Sequence, residues 1–401
     1  MEPGPASRLT ARKRRAVALI AISVLALAVA GLTWIVPGLH FGGTANSKTT
    51  ASNPVSTTSP PPPFYRTLYD FATPTVGWAL VSRPMDTAVF KTVDGGKHWR
   101  LSSRLEGNVG ATIQFLDTTH GFVVTGAPNR LYRTTDGGAH WAVLMMPEDR
   151  AYGIRFSDRR RGSSLVPPTA LHPATALYTT DDGGETWRML PALPQDAYGP
   201  VFRNAEAWLS VSAPPSDSLH VYRSFDGGLA WSSVEVPRPP ASNRLPDGPT
   251  FANAEVKLLP GAGVAVLASV GPSCGKPVPC ATPDQGKFVS FDRGGTWTAV
   301  PNPPPAFNYR DIAYQDSVHW WALGSGSLFK SSDGGYTWQF ISSVPEPPQG
   351  RPELHVFDAL HAWAQSSIFI TTAGGAFQVF AVVATSDGGL SWTRVPPPQI
   401  A

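Results

Sequence analysis

One eight-residue pattern recurs seven times in this chain, and it limits the possible folds more than any other feature. It reads Ser or Thr, any residue, Asp, any residue, Gly, two further residues, Trp, and the first copy runs from Thr92 through Asp94 and Gly96 to Trp99. The later copies carry Asp136 and Trp141, Asp182 and Trp187, Asp226 and Trp231, Asp292 and Trp297, Asp333 and Trp338, and Asp387 and Trp392. Successive tryptophans are 42, 46, 44, 66, 41 and 54 residues apart, the spacing of a four-stranded propeller blade. Glycine supplies the positive φ of a tight strand-to-strand turn. The Asp carboxylate accepts the free N–H groups of that turn and the hydroxyl adds a second local bond. The Trp opens the next strand and covers the turn and the neighbouring blade. Each copy is therefore expected to staple the third and fourth strands of a blade, and these carboxylates are poor catalytic candidates.

A second motif lies about 20 residues before each pattern: an apolar strand, a polar turn and another apolar strand. Examples are Phe71 to Gly77-Trp78, Phe115-Leu-Asp117 to Gly121-Phe122, and Phe357-Asp358 to Trp363. Blade five is degenerate here, with Leu258-Leu-Pro-Gly-Ala-Gly-Val-Ala-Val in that place. Each unit thus supplies strands a, b, c and d, and the chain is expected to be an all-β, seven-bladed propeller of four-stranded blades over residues 64–401.

The N-terminus is of another kind. Residues 1–15 are basic, and 16–36 form an uncharged apolar run of 21 residues, about 30 Å as a helix, enough to span a bilayer core. Basic residues before the run predict a single-pass helix with the rest of the chain outside the cytoplasm. A cleaved signal peptide ending at Ala28-Val29-Ala30 is the alternative. Both place the C-terminal domain in the same compartment. Residues 37–63, rich in Ser, Thr and Pro, read as a disordered linker. The first fifteen residues hold five basic side chains against Glu2, and the whole chain is only +3, so the remainder is near neutral. That argues against a nucleic-acid partner.

The repeats resemble the Asp-box (BNR) repeats of sialidases, sortilin-like receptors and some glucanases. Phe-x-Asp…Gly-Trp-Ala combined with Thr-x-Asp-Gly-Gly-x-x-Trp looks most like the photosystem II stability/assembly factor family. The resemblance covers about Tyr65 to Val395. It implies an Asp-box propeller, and by analogy an assembly or binding role for a protein or cell-surface polymer. The family is associated with an arginine-rich patch.

In such blades the a–b and c–d turns share one face, the box face, and the b–c and d–a loops share the other. The variable Pro-rich segments fall on the second face, residues 213–220 and 366–377 among them as b–c loops, and this face is the expected recognition surface because function concentrates in loops on a rigid scaffold. Candidate binding residues there are Asp149, Arg150, Tyr152, Asp196, Tyr198, Tyr309, Arg310 and Glu353, which should ring the mouth of the central channel; the bland reading is that they start strands and pair with one another. Arg159, Arg160 and Arg161 lie on an a–b turn of the box face, as a solvated turn or as a contact for an acidic partner or lipid headgroups. Cys274 and Cys280 are expected to form a disulfide outside the cytoplasm. No cofactor is implied, and no metal, since the nine histidines lack ligand spacing. A sialidase would need an Arg-Ile-Pro-type motif before the first box, and Tyr65-Arg66-Thr67-Leu68 lacks the Pro. The favoured expectation is a non-catalytic binding module with a monomeric ectodomain. The alternative is a glycoside hydrolase using a carboxylate pair from Asp149, Asp196, Asp311 and Glu353.

Overall fold

The computed structural model describes residues 67–399, apart from 84–85, 127–128, 169–173, 195, 217–218, 238–249, 272–283, 302–310, 325, 345–352 and 373–374. The apolar run, the linker, Tyr309, Arg310, Cys274 and Cys280 lie outside the described residues. Residues 62–401 make up one compact unit, and its described residues are all β, with 28 strands and no helix.

The strands follow the order read from the repeats. Blade one is Thr67–Phe71, Gly77–Ser82, Asp86–Thr92 and Arg100–Glu106, paired antiparallel in sequence order. Five sheets have four strands, and one has eight. The eight-stranded sheet is blades four and five joined. Strand b of blade four (Glu206–Ser216) pairs first with strand a of its own blade, then turns its far end onto strand a of blade five (Thr250–Leu258), with Val211 opposite Ala254 and Ser216 opposite Phe251.

Seven apolar clusters hold the blades together, one at each junction, and Tyr69, Phe71, Trp363 and Val395 share the cluster that joins blade seven to blade one. Trp99 Nε1–H also donates to the Pro396 carbonyl at 2.8 Å. The units therefore close into a ring.

The Phe…Gly spacing has a packing reason. Gly77, Gly121 and Gly162 lie opposite Phe71, Phe115 and Phe156 in the a–b pairing, and a Cβ there would sit 2.2–2.7 Å from the Phe ring. Glycine lets each ring lie on the backbone. Its other face takes an aromatic from the preceding blade: Trp78 stacks on Phe115 and Phe122 on Phe156, with centroids 3.4 and 3.5 Å apart.

Two expected loops differ. Residues 366–377 were expected as a b–c loop, yet strands Ala362–Thr372 and Gly375–Thr385 continue as one long hairpin, paired from Ala362↔Thr385 to Thr372↔Gly375. The expected loop at 213–220 likewise begins as strand, because the backbone finds partners in blade five.

Candidate functional site

Every box does the structural task its chemistry suggests. In all seven the Ser or Thr hydroxyl donates to the Asp Oδ1 at 2.6–2.9 Å. It also accepts the N–H of the second turn residue's successor, Gly96 in box one and its equivalents, at 2.7–2.9 Å. The same Oδ1 accepts the N–H four residues on at 2.8–3.1 Å. The backbone N–H of Thr296 leads in holding Asp292 down to about 2, and the Thr337 hydroxyl does so for Asp333. In six boxes the first glycine N–H donates to an a–b turn carbonyl at 2.7–2.9 Å, which fixes both turns on one face.

A cation just before the box hydroxyl joins blades, a signal the motif reading passed over. Lys91, Arg133, Arg223 and Lys330 occupy this position. Lys330 Nζ lies 3.4 Å from the Trp321 ring centroid and 3.4 Å from the Ala359 carbonyl of the next blade. Arg133 donates to the Gly183 carbonyl and to Glu185.

On the second face, Asp196 accepts from Tyr222 and contacts His220, both at 3.1 Å and both on strand c of its own blade. In blade three the corresponding tyrosine, Tyr178, donates to Glu148 at 2.7 Å, so Glu148 rather than Asp149 is the counterpart of Asp196. Asp149 contributes its carbonyl, which accepts from Asn129. Arg150 is exposed, and Tyr152 and Tyr198 are 48% and 41% exposed at the starts of consecutive inner strands. Glu353 is exposed on the inner strand of blade seven. It lies close enough to Asp70 to raise that carboxyl, which burial first lifts to about 6 and which the Phe115 N–H opposes at 2.5 Å.

The arginine run is tied to its own scaffold while staying exposed. Arg159 pairs with Asp117 at 2.9 Å, Arg160 donates to the Asp181 carbonyl, and Arg161 meets Asp158 at 3.2 Å. Beside it, between blades three and four on the box face, is a cleft of about 500 Å³ with Phe156, Val201 and Phe202 as apolar wall, Arg155, Arg161 and Arg188 as cations, and Asp181 and Asp226 as the carboxylates at its edge. Among the described residues no three His, Cys, Asp or Glu side chains converge as a metal site.

A closed ring of hairpins stapled by Asp-boxes, with concave ground between blades, is a β-propeller of the Asp-box (BNR) type. No family model and no curated protein matches the sequence. Among solved structures, the chain resembles the photosystem II assembly factor in "YCF48 bound to D1 peptide", at 15% identity and a TM-score of 0.51, over 80% of this chain and 96% of that one. YCF48 from Cyanidioschyzon merolae follows at 17% identity and 0.46, over 82% and 95%. A Penicillium chrysogenum α-L-arabinanase has 13% identity and 0.39, over 81% and 93%. At these identities the likeness concerns the fold.

Proposed function

We propose that this chain is a membrane-tethered, extracytoplasmic propeller that binds a polypeptide segment of another protein, without catalysis. The observation that carries this reading is the cleft between blades three and four, where arginines face an apolar wall. Such a surface takes an extended segment with acidic and apolar side chains, because charge-assisted hydrogen bonds fix it and the wall desolvates it. The peptide complex of the similarly folded YCF48 supports polypeptide as the ligand class. Residues 16–36 serve as the anchor and 37–63 as the tether. Crosslinking and pull-down with the intact chain test it: Arg155→Ala with Arg188→Ala loses the captured protein, whereas Tyr152→Ala with Tyr198→Ala retains it. The reverse outcome moves recognition to the second face, and equal capture by all three chains ends the proposal.

One observation favours a second reading, glycoside hydrolysis: Asp70, raised toward neutrality, lies within reach of the Glu353 charge, the kind of pair that splits into acid and base. Glycan turnover abolished by Asp70→Asn supports it; a propeller inert on glycans removes it.

A further inference from the structure

The box face is not uniformly polar. Two positions in each box point outward: the residue between Ser/Thr and Asp, and the residue three beyond that Asp. In blades four, five, six, seven and one these positions carry Phe225 and Leu229, Phe291, Tyr336, Leu390, and Val93, which are 45–70% exposed, the remaining four being Gly295, Ser332, Ser386 and Lys97. Blades two and three instead carry Thr135 and Ala139, Asp181 and Glu185, beside the arginine run. The apolar tips thus fill one continuous arc of the ring, and the polar sector fills the rest.

Equivalent positions of a closed repeat lie at equal height, so these side chains share a plane. They project from convex hairpin tips rather than line a groove. The box carboxylates below them are turned into their own turns, leaving apolar groups outermost. We infer that this arc docks on the lipid bilayer surface, the tips entering the headgroup boundary as amphipathic elements do. Phosphatidylcholine-type interfaces suffice, because apolar burial drives the contact.

The inference rests on the anchor proposed above. The proposed tether has 27 residues, 37 to 63, and a coil of that length would span on the order of 30 Å. The propeller is thereby held at high effective concentration beside the membrane, and a weak surface affinity is enough. The polar sector and the cleft of blades three and four would then face the membrane plane as well, where a segment of an integral membrane protein emerges.

The test uses the intact chain in protein-free phosphatidylcholine vesicles, with Cys274 and Cys280 replaced by alanine and one environment-sensitive label. Labels at Leu390→Cys or Phe291→Cys on the box face are compared with Met145→Cys on the outer rim and Tyr198→Cys on the opposite face. Brominated lipid quenches the box-face labels at least twofold more than the others, in low salt and in 1 M salt. Adding Phe225→Ser and Phe291→Ser cancels the difference for Leu390→Cys. Equal quenching on all sides, or quenching that requires a second protein in the membrane, overturns the inference. Flotation of the intact chain after carbonate extraction reads the anchor separately: loss from the vesicles sinks the anchor, whereas retention without box-face quenching sinks only the docking.

Discussion

The junctions among blades one, two and three and the junction between blades four and five hold the same kind of unit together by different means. The first set is apolar and repetitive: Trp78 on Phe115 and Phe122 on Phe156, each over a glycine. Between blades four and five the glycine position is Val264, and the residue opposite it on strand a of blade five is Leu258 rather than a Phe. Instead Glu206, nearly buried, accepts from Arg203 at 3.0 Å and Trp208 at 2.8 Å, and Arg293 approaches at 3.5 Å. Arg203 also donates to the Leu259 and Gly263 carbonyls, and strand b crosses into the next blade's sheet. Arg293 stands where other boxes have their first glycine, at φ 60°, a conformation that costs roughly 1 kcal/mol or more for a side-chain-bearing residue. Repetition is therefore not what makes a junction. A degenerate pair can exchange aromatic stacking for a buried ion network if every group in it is satisfied.

The largest test of this contrast removes the carboxylate. Glu206→Ala leaves the half-buried Arg203 without its charge partner and lowers stability by about 3 kcal/mol, the low end for a broken buried pair because the guanidinium keeps some solvent, read as a fall in denaturation midpoint. Replacing both Glu206 and Arg203 with leucine recovers most of the loss. If the single variant costs no more than a surface substitution, the ion network is decoration.

Blade five departs from the pattern once more. Lys287 is 5% exposed at a position held by Val89, Leu131, Leu177, Val221, Leu328 and Val382 in the other blades. Its Nζ lies 5.3 Å from the Trp338 ring centroid and finds no hydrogen bond among the described residues. Burial pulls this amine down to about 7. With the folded value below the unfolded one, stability declines as pH falls from about 10.5 to about 7 and is level below that. Lys287→Leu flattens that decline and raises stability at pH 7 by roughly 1–4 kcal/mol, measured by denaturation across that range.

The smallest effect belongs to the regular boxes. Their aspartates are held low by turn N–H and hydroxyl donors, so their contribution is complete above pH 4 and is lost as pH falls through about 2. Melting temperature against pH drops in that acid range, and Asp333→Asn shortens the drop without altering the alkaline limb.

What the sequence disclosed was whatever is local and repeated. The box bonds join residues two to four apart, and the strand order follows from short turns, so both were legible. The Phe…Gly spacing was visible but its reason was not, because the stacking partner comes from another blade. The Glu206–Arg293 pair spans two degenerate repeats, where no register told which side chains meet. Residues 366–377 looked like a loop because Ser366, Ser367 and two glycines resemble turn chemistry; pairing with the opposite strand overrode that local preference. Among the site candidates, Asp196 and the arginines could be placed on a face, but their partners Tyr222, Asp117 and Asp181 depend on contacts between turns.

All four strands of blade one come from residues 67–106 and all four of blade seven from 353–395, so no strand is lent across the point where the ring shuts. That seam is held by side chains and the Trp99–Pro396 bond without a covalent crossing, whereas the chain itself runs across each of the other six junctions. A circular permutation that joins blade seven to blade one and opens the chain between two other blades should therefore preserve the ring, merely relocating the place where it parts first under force.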